Sequence, residues 1–542
     1  MQISFRRVSL GSKRTSGLIS ILLTLVGPCV VPGRSVAQQS ILTWHYDNLR
    51  SGANTNEVVL TPGNVNYKTF GKLSTKPVDG YVVAQPLYVP QLNIVGQGSH
   101  NVVFVATMHG SVYAFDADDT NTSPLWYMSV LTYSPTGATT VPAAVKRNAQ
   151  TTGWTELGIV STPVIDLPSH TLYLVAETYE NSQVVHRLHA LDITSGVEKT
   201  GGPTTIAATH TYNGVTTKFQ DFYQMNRPGL LLANGNIFIA WGSNGNNHTP
   251  CQGWLMSYSA STLQPLGAVT VEPGRNLASI WQKGAGIAAD PGGNIYAVTS
   301  EGPYVAGSNL SISVVEFNQT NGVGVADFFT PYNHQTLATL DQDMTGVLLL
   351  PDQSGAYPRE MIGIGKEGTI YLLNRDHLGG LCTTCTSGNT QIVQEIPQGG
   401  GTGGGNPTYW NNTVYFTGVR TPVQAYTVQN GTLVVPPVKT PVQMAGGGHS
   451  FITANGTTNG ILWLMNGGAA LWALDAVTLK TLYRTGQAPN YRDKIPPVPH
   501  FPEAIAADGK VFVGSQNSLV TYGLLPGAAA SRGSDRARVH GE

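Results

Sequence analysis

The sequence predicts an all-β protein, an eight-bladed β-propeller with a seven-bladed ring as the alternative, on three observations. Glycine and proline are abundant, 63 and 33 in 542 residues, while charged residues make up only 11%, against about a quarter in an average soluble protein. That balance suits short strands joined by many turns. One unit recurs along the chain: an apolar strand, a turn, a second apolar strand ending in small or polar residues, a loop, and a third strand closing on an aromatic or leucine. Repetition at a period of roughly 40–50 residues is the signature of propeller blades. No amphipathic helical stretch is long enough to define a second domain.

The closing residue of the third strand can be followed through Phe115, Leu191, Tyr258, Phe317, Leu373, Tyr426, Leu474 and Tyr522. The steps shorten from 76 residues between Phe115 and Leu191 to 48 between Leu474 and Tyr522, which places insertions in the earlier blades. Eight marks imply eight blades. Asp or Asn often follows the mark, as at Asp116, Asp192, Asn318, Asn374 and Asp475. Such side chains accept backbone N–H groups in tight turns, so these acids read as turn formers and not as catalysts. The last unit, 504–524, supplies three strands and stops, whereas 70–78 near the N-terminus reads as a fourth strand without a blade. Pairing the two closes the ring and removes an exposed edge.

Residues 1–37 read as an export signal: Arg6, Arg7, Lys13 and Arg14 precede the apolar run 18–31, and Ser35-Val36-Ala37 supplies a small-x-small cleavage site near Ala37. The apolar run is shorter than the ~20 residues a membrane helix needs, and Pro28 interrupts it. A secreted or periplasmic propeller over 38–525 with a disordered tail over 526–542 is the expected organisation, as a monomer. The net charge of −1 gives no electrostatic reason to expect a nucleic acid or an anionic membrane as partner. After cleavage three cysteines remain. Cys382 and Cys385, with two residues between them, read as a local disulfide in an oxidising compartment, with a redox pair or half a zinc site as the alternatives. Thr386 stands where covalent haem attachment would need His, and Cys251 is left over.

Several strings resemble the repeats of pyrroloquinoline quinone (PQQ) propellers: Ala84-Gln-Pro-Leu-Tyr-Val89, Val112-Tyr-Ala-Phe-Asp-Ala117, Leu188-His-Ala-Leu-Asp192, the run 365–375 and Gly509-Lys-Val-Phe-Val-Gly514. The opening Trp44-His-Tyr-Asp-Asn-Leu-Arg-Ser-Gly52 is similar to a group of exported bacterial proteins bearing that repeat. The resemblance covers roughly 41–525 and implies the quinoprotein alcohol dehydrogenase-like propeller. It also implies PQQ and Ca²⁺ as cofactors. The blade-docking pattern Ala-x-Asp…Trp of those enzymes is met by Ala114, Asp116 and Trp126. Their adjacent cysteine pair over the cofactor is missing here, as is a tryptophan in every blade.

Propeller sites form where loops converge at one end of the channel. The loops 177–181, 242–250 and 300–304, together with Gln85, Asn226, Arg227, Lys283, Asp341, Asp343, His449 and Glu503 at the starts of inner strands, mark that mouth. Oxygen ligands from Glu177, Asn244, Glu301 and Asp341 suit Ca²⁺, a hard ion that takes six to eight oxygens. Asp343, Arg227 and Glu177 then stand as catalytic candidates, and Asn244, Glu301 and His449 as cofactor contacts, with the quinone carrying the redox chemistry. The competing interpretation has these side chains capping strands and solvating loops. A ligand-binding or protein-interaction scaffold, holding a small molecule, a glycan or an envelope protein at the mouth, needs no complete catalytic set, and it is the leading expectation. A PQQ- and Ca²⁺-dependent dehydrogenase of alcohols or sugars is the main alternative. Carbohydrate hydrolysis or lysis, with Tyr179, Tyr304 and Trp281 stacking on sugar rings, is the third.

Overall fold

The computed structural model describes residues 39–146, 152–243, 251–274, 277–319, 322–443, 447–466 and 469–527. Residues 1–37, read as an export signal from the sequence, and the stretch beyond 527 lie outside these residues. Eight antiparallel sheets are arranged as an eight-bladed β-propeller. Blade 1 is built from Leu87–Ile94, Gly98–Ala106, Ser111–Asp116 and Trp126–Ser129. The inner strands of blades 2 to 8 are Val164–Asp166, Leu231–Ala233, Ala288–Ala289, Met344–Leu349, Thr408–Trp410, Ser450–Asn455 and Ala504–Ala507. Each of the eight marks read from the sequence lies on the third strand of its blade, for example Leu191 on Gln183–Asp192 and Tyr426 on Val423–Gln429.

The ring closes between the chain ends. Phe70–Pro77 pairs antiparallel with Ser518–Leu524, Phe70 opposite Leu524 and Pro77 opposite Ser518. The turn acids behave as turn formers: Asp192 accepts the N–H of Thr194 at 2.8 Å and Asp116 that of Asp118 at 2.8 Å. Early insertions include the hairpin of Thr209–Tyr212 with Val215–Lys218 and the pairing of Thr139–Pro142 with Glu156–Leu157. Cys382 and Cys385 are joined by a disulfide in blade 5, and Cys251 is a buried free thiol. No helix among the described residues is long and apolar enough to cross a membrane.

The apolar core is a set of wedges between neighbouring blades. Phe104 and Trp126 of blade 1 pack with Leu172 and Leu191 of blade 2, and Trp126 donates its indole N–H across the gap to Ile193 O at 2.9 Å. Because both faces of every sheet meet a neighbour, the strands read as near-continuous apolar runs.

The channel down the middle is filled by the chain itself. Residues 41–54 hydrogen-bond to the inner strand of every blade. Ile41 exchanges two bonds with Tyr88, and Leu42 O, Asn48 O, Leu49 O, Ser51 O and Gly52 O accept from Ile165, Ala289, Leu349, Tyr409 and Ile452. Asn48 Nδ2 donates to Leu232 O at 2.9 Å and Ala506 N donates to Tyr46 Oη at 2.9 Å. Arg50, wholly buried, pins this plug, donating to Ile287 O at 2.8 Å, Thr43 Oγ1 at 2.8 Å and Trp44 O at 2.7 Å. Burial pushes its guanidinium down to about 9. The ring of His45 spans Arg50 O and Ser450 O at 2.8 and 2.7 Å. It lies where a Cβ on residue 52 would sit 2.4 Å from Nε2, so only glycine, at φ +72°, fits there.

Arg50→Met leaves buried carbonyls of Ile287 and Trp44 unpaired, each worth about 1–3 kcal/mol. The expected loss is about 3 kcal/mol or more of unfolding free energy, read by denaturant titration. An unchanged midpoint would show that the plug does not support the ring.

Candidate functional site

The linkers that run into the inner strands meet at one end of the channel and enclose a cavity of about 580 Å³. Its walls carry Tyr81, Trp154 and Phe501, with Lys283 and His449 between them. Gly403 of the glycine-rich run 399–405 lines it together with Gly447 and Gly448. A Cβ at Gly405 would lie 2.6 Å from Gly448 O, so two linkers stack backbone on backbone only because neither carries a side chain there. Lys283 ties them to the linker before blade 4, donating to Gly403 O and, at 3.0 Å, to Gly404 O. Burial, and then Lys366 nearby, push its ammonium down to about 8.

The plug packs behind one wall of the cavity, at His449. Trp44 packs edge-on against the His449 ring at 5.1 Å between centroids. Asn406 N donates to His449 Nδ1 at 2.9 Å, which leaves the proton on Nε2, and Nε2 faces Glu503 Oε1 at 3.6 Å. Burial, with His45, Lys283 and Arg227 nearby, holds His449 well below its ordinary value, so the ring is neutral. Burial pushes the Glu503 carboxyl up to about 8 against the opposing pull of Arg227. Arg227 stacks its guanidinium on Phe501 at 5.3 Å.

The structure gathers some predicted residues and separates others. Arg227, His449, Glu503 and Lys283 come together at the mouth. Glu301, Asp341 and Asp343 form a second group whose carboxylate oxygens lie within 4.8 Å of one another. Burial and the neighbouring Asp343 push Glu301 up to about 9, and Lys366 pairs with Asp341 at 2.8 Å. Three hard oxygen donors this close together, two of them, Glu301 and Asp343, hydrogen-bonded to each other, fit a divalent cation such as Ca²⁺.

Glu177 stands apart from both groups. The sequence places 177–181 in a loop, but Thr171–Glu180 and Gln183–Asp192 form one long hairpin turning at Asn181 and Ser182. Both turn residues have positive φ, 48° and 64°, as the tight primed turns of hairpins require. Glu177 is buried there against Lys146 Nζ at 2.5 Å and His186 Nε2 at 3.5 Å, and Lys146 also donates to Gln224 O at 2.6 Å. An ammonium of the chain itself holds the position given to a metal in the sequence reading. Asn244 lies outside the described residues. Of the aromatics offered for sugars, Trp281 and Tyr179 pack beneath the cavity wall and Tyr304 lies against His334 at 4.6 Å.

Sequence reasoning missed Lys146, Trp154 and Phe501, and it treated 44–52 only as a family signature. Bulky polar residues without strand or helix period were the available sign that 44–52 is enclosed.

No family model matches the chain, and no curated protein matches it in sequence. Its fold has solved counterparts. A europium-containing methanol dehydrogenase aligns over 90% of this chain and 98% of its own, at 11% identity and a TM-score of 0.59. The quinohemoprotein alcohol dehydrogenase ADHIIG of Pseudomonas putida HK5 gives 12% identity and a TM-score of 0.58, and that of Comamonas testosteroni 13% and 0.56, each over 90% of this chain and 80% of the other. The chain thus has the eight-bladed propeller fold found in the quinoprotein alcohol and methanol dehydrogenases.

Although burial disfavours its charge, Lys146 and His186 hold the Glu177 carboxyl below its ordinary value. The pair therefore stabilises fully above the unfolded carboxylate range and loses its effect as pH falls through the lower folded value. Lys146→Met strands a buried carboxylate and should cost about 3–5 kcal/mol at pH 7. Lys146→Met combined with Glu177→Gln should recover part of that loss in denaturant titrations. No recovery would mean that the lysine acts by packing alone.

Proposed function

We propose that the protein binds a small organic ligand in the cavity at the mouth of its channel. The observation that carries this is the cavity itself: about 580 Å³, within the range of roughly 300–1,000 Å³ for small-molecule sites. Aromatic walls supply apolar contact, and Lys283 and His449 supply orienting polar groups. The linkers that line it hang on the rigid inner strands.

The test is ligand-dependent thermal unfolding together with a cavity-filling variant. Val419 lies on the cavity wall and is 37% exposed, so Val419→Trp should occupy the space without disturbing the core. A compound present at 100 times its dissociation constant should stabilise the parent by about 2.7 kcal/mol and leave Val419→Trp unmoved. Equal shifts in both proteins would place the binding elsewhere.

A second reading, a PQQ-dependent dehydrogenase of alcohols or sugars, is favoured by the fold and by the group of Glu301, Asp341 and Asp343. Glu301 and Asp341 would hold Ca²⁺, and the cationic, aromatic cavity suits a flat quinone bearing carboxylates. Such a quinone would accept the electrons of the oxidised alcohol. Within the chain, Asp343 is the proton acceptor this reading calls for, with Arg227 countering negative charge. Dye reduction by an alcohol only when PQQ and Ca²⁺ are both supplied, and lost in Asp343→Asn, supports it. A melt indifferent to PQQ, Ca²⁺ and their combination at saturating concentrations rules it out.

A further inference from the structure

Arg227 is the least satisfied charge at the mouth. It is 1% exposed. Among the described residues its Nε and Nη2 have no hydrogen-bond partner, and Nη1 reaches Val160 O at 3.5 Å. Gly284 presses on it so closely that a Cβ there would sit 2.3 Å from Cζ. Glu503, the acid beside it, forms no ion pair with it among the described residues. Glu503 is instead engaged by the Trp44 indole and by His449, whose Nε2 lies 3.6 Å from Glu503 Oε1. A buried guanidinium with orphaned N–H groups is costly, and a native site retains one where an ion or ligand completes it. His449 and Phe501 form the boundary: each lines the cavity on one side and meets Glu503 or Arg227 on the other. Lys283 stands on the cavity wall itself, with two of its N–H groups spent on Gly403 and Gly404.

Resting on the ligand-binding reading above, we infer that the ligand is an aromatic carboxylate whose anionic end is held between Arg227 and Lys283, while its ring lies against Phe501 and Trp154. The groups facing this end are Arg227, Lys283, Glu503, His449, His45 and His500. All three histidines are held below their ordinary values, each chiefly by burial, and so are neutral near pH 7. Arg227 stays charged, lowered by burial only to about 10. Glu503 is protonated up to about 8, and Lys283 keeps its proton below about 8. Below that pH the site presents cations with no carboxylate among them. Above it Glu503 ionises beside Arg227 while Lys283 discharges, and both changes work against an anion.

The experiment compares 2-naphthoate with its neutral analogue 2-naphthamide by calorimetric titration of the full chain. Naphthoate should bind about tenfold more tightly or better at pH 7, since one paired charge is worth at least that much in a buried site. Its affinity should fall about tenfold or more at pH 9, as two groups titrate near 8, whereas naphthamide should bind alike at both. Arg227→Met removes an unmatched charge, so it should melt no lower than the parent and lose the preference for naphthoate. Lys283→Met should weaken that preference, and Glu503→Gln should lessen the loss at pH 9. Equal binding of the two probes, or the same stabilisation by chloride as by naphthoate, overturns the inference and leaves the ligand-binding reading standing. Binding of neither probe at millimolar concentration, with Val419→Trp behaving as the parent toward every compound, overturns both.

Discussion

The buried guanidinium of Arg50, bonded to carbonyls of the plug and of Ile287, is the interaction on which the architecture turns. A propeller of eight blades leaves eight inner edges around a central channel, each with backbone groups that need partners. Here residues 41–54 supply partners to all eight. The segment has no regular secondary structure of its own over most of its length, so it needs a fixed centre, and Arg50 provides several donors in one rigid fork. Gly52 admits the imidazole of His45, and that ring reaches Ser450 across the channel.

What happens at the mouth follows from the plug. Trp44 packs behind His449, which lines the cavity, and the groups around that contact are buried away from water. Burial then sets their charges: His449 is neutral, Glu503 is held in its acid form, and Arg227 keeps a charge with little to match it. The carboxylates Glu301, on a loop within blade 4, and Asp341 and Asp343, on the linker into blade 5, keep their own cation, Lys366. Two electrostatic environments thus sit close together, one short of negative charge and the other crowded with it. That contrast is what distinguishes this mouth from a generic loop surface, and it gives both functional readings their physical content.

Much of this was legible from the residues. The eight third-strand marks and the pairing of 70–78 with the last unit depend on local periodicity and on turn chemistry at Asp116, Asp192 and Asn374. The positions of Arg227, Lys283, His449 and Glu503 followed from counting inner strands. Glu177 did not follow, because its role depends on Lys146, which lies outside the repeat, and on a hairpin whose turn residues, Asn181 and Ser182, also suit a longer loop. Trp154 and Phe501 were illegible for a similar reason, since linkers carry no period that says which way a side chain points.

The sequence by itself determined the ring: blade number, strand order, closure and the end of the channel at which polar residues gather. These are repeated, near-neighbour properties, and every blade states them again. Only the tertiary structure decided that residues 44–52 fill the channel, that Lys146 neutralises Glu177, and that Arg227 is buried without an anion. Each joins residues remote in sequence, such as His45 with Ser450 and Arg50 with Ile287. No local pattern encodes such pairs, because their energy comes from the enclosure that the completed ring creates.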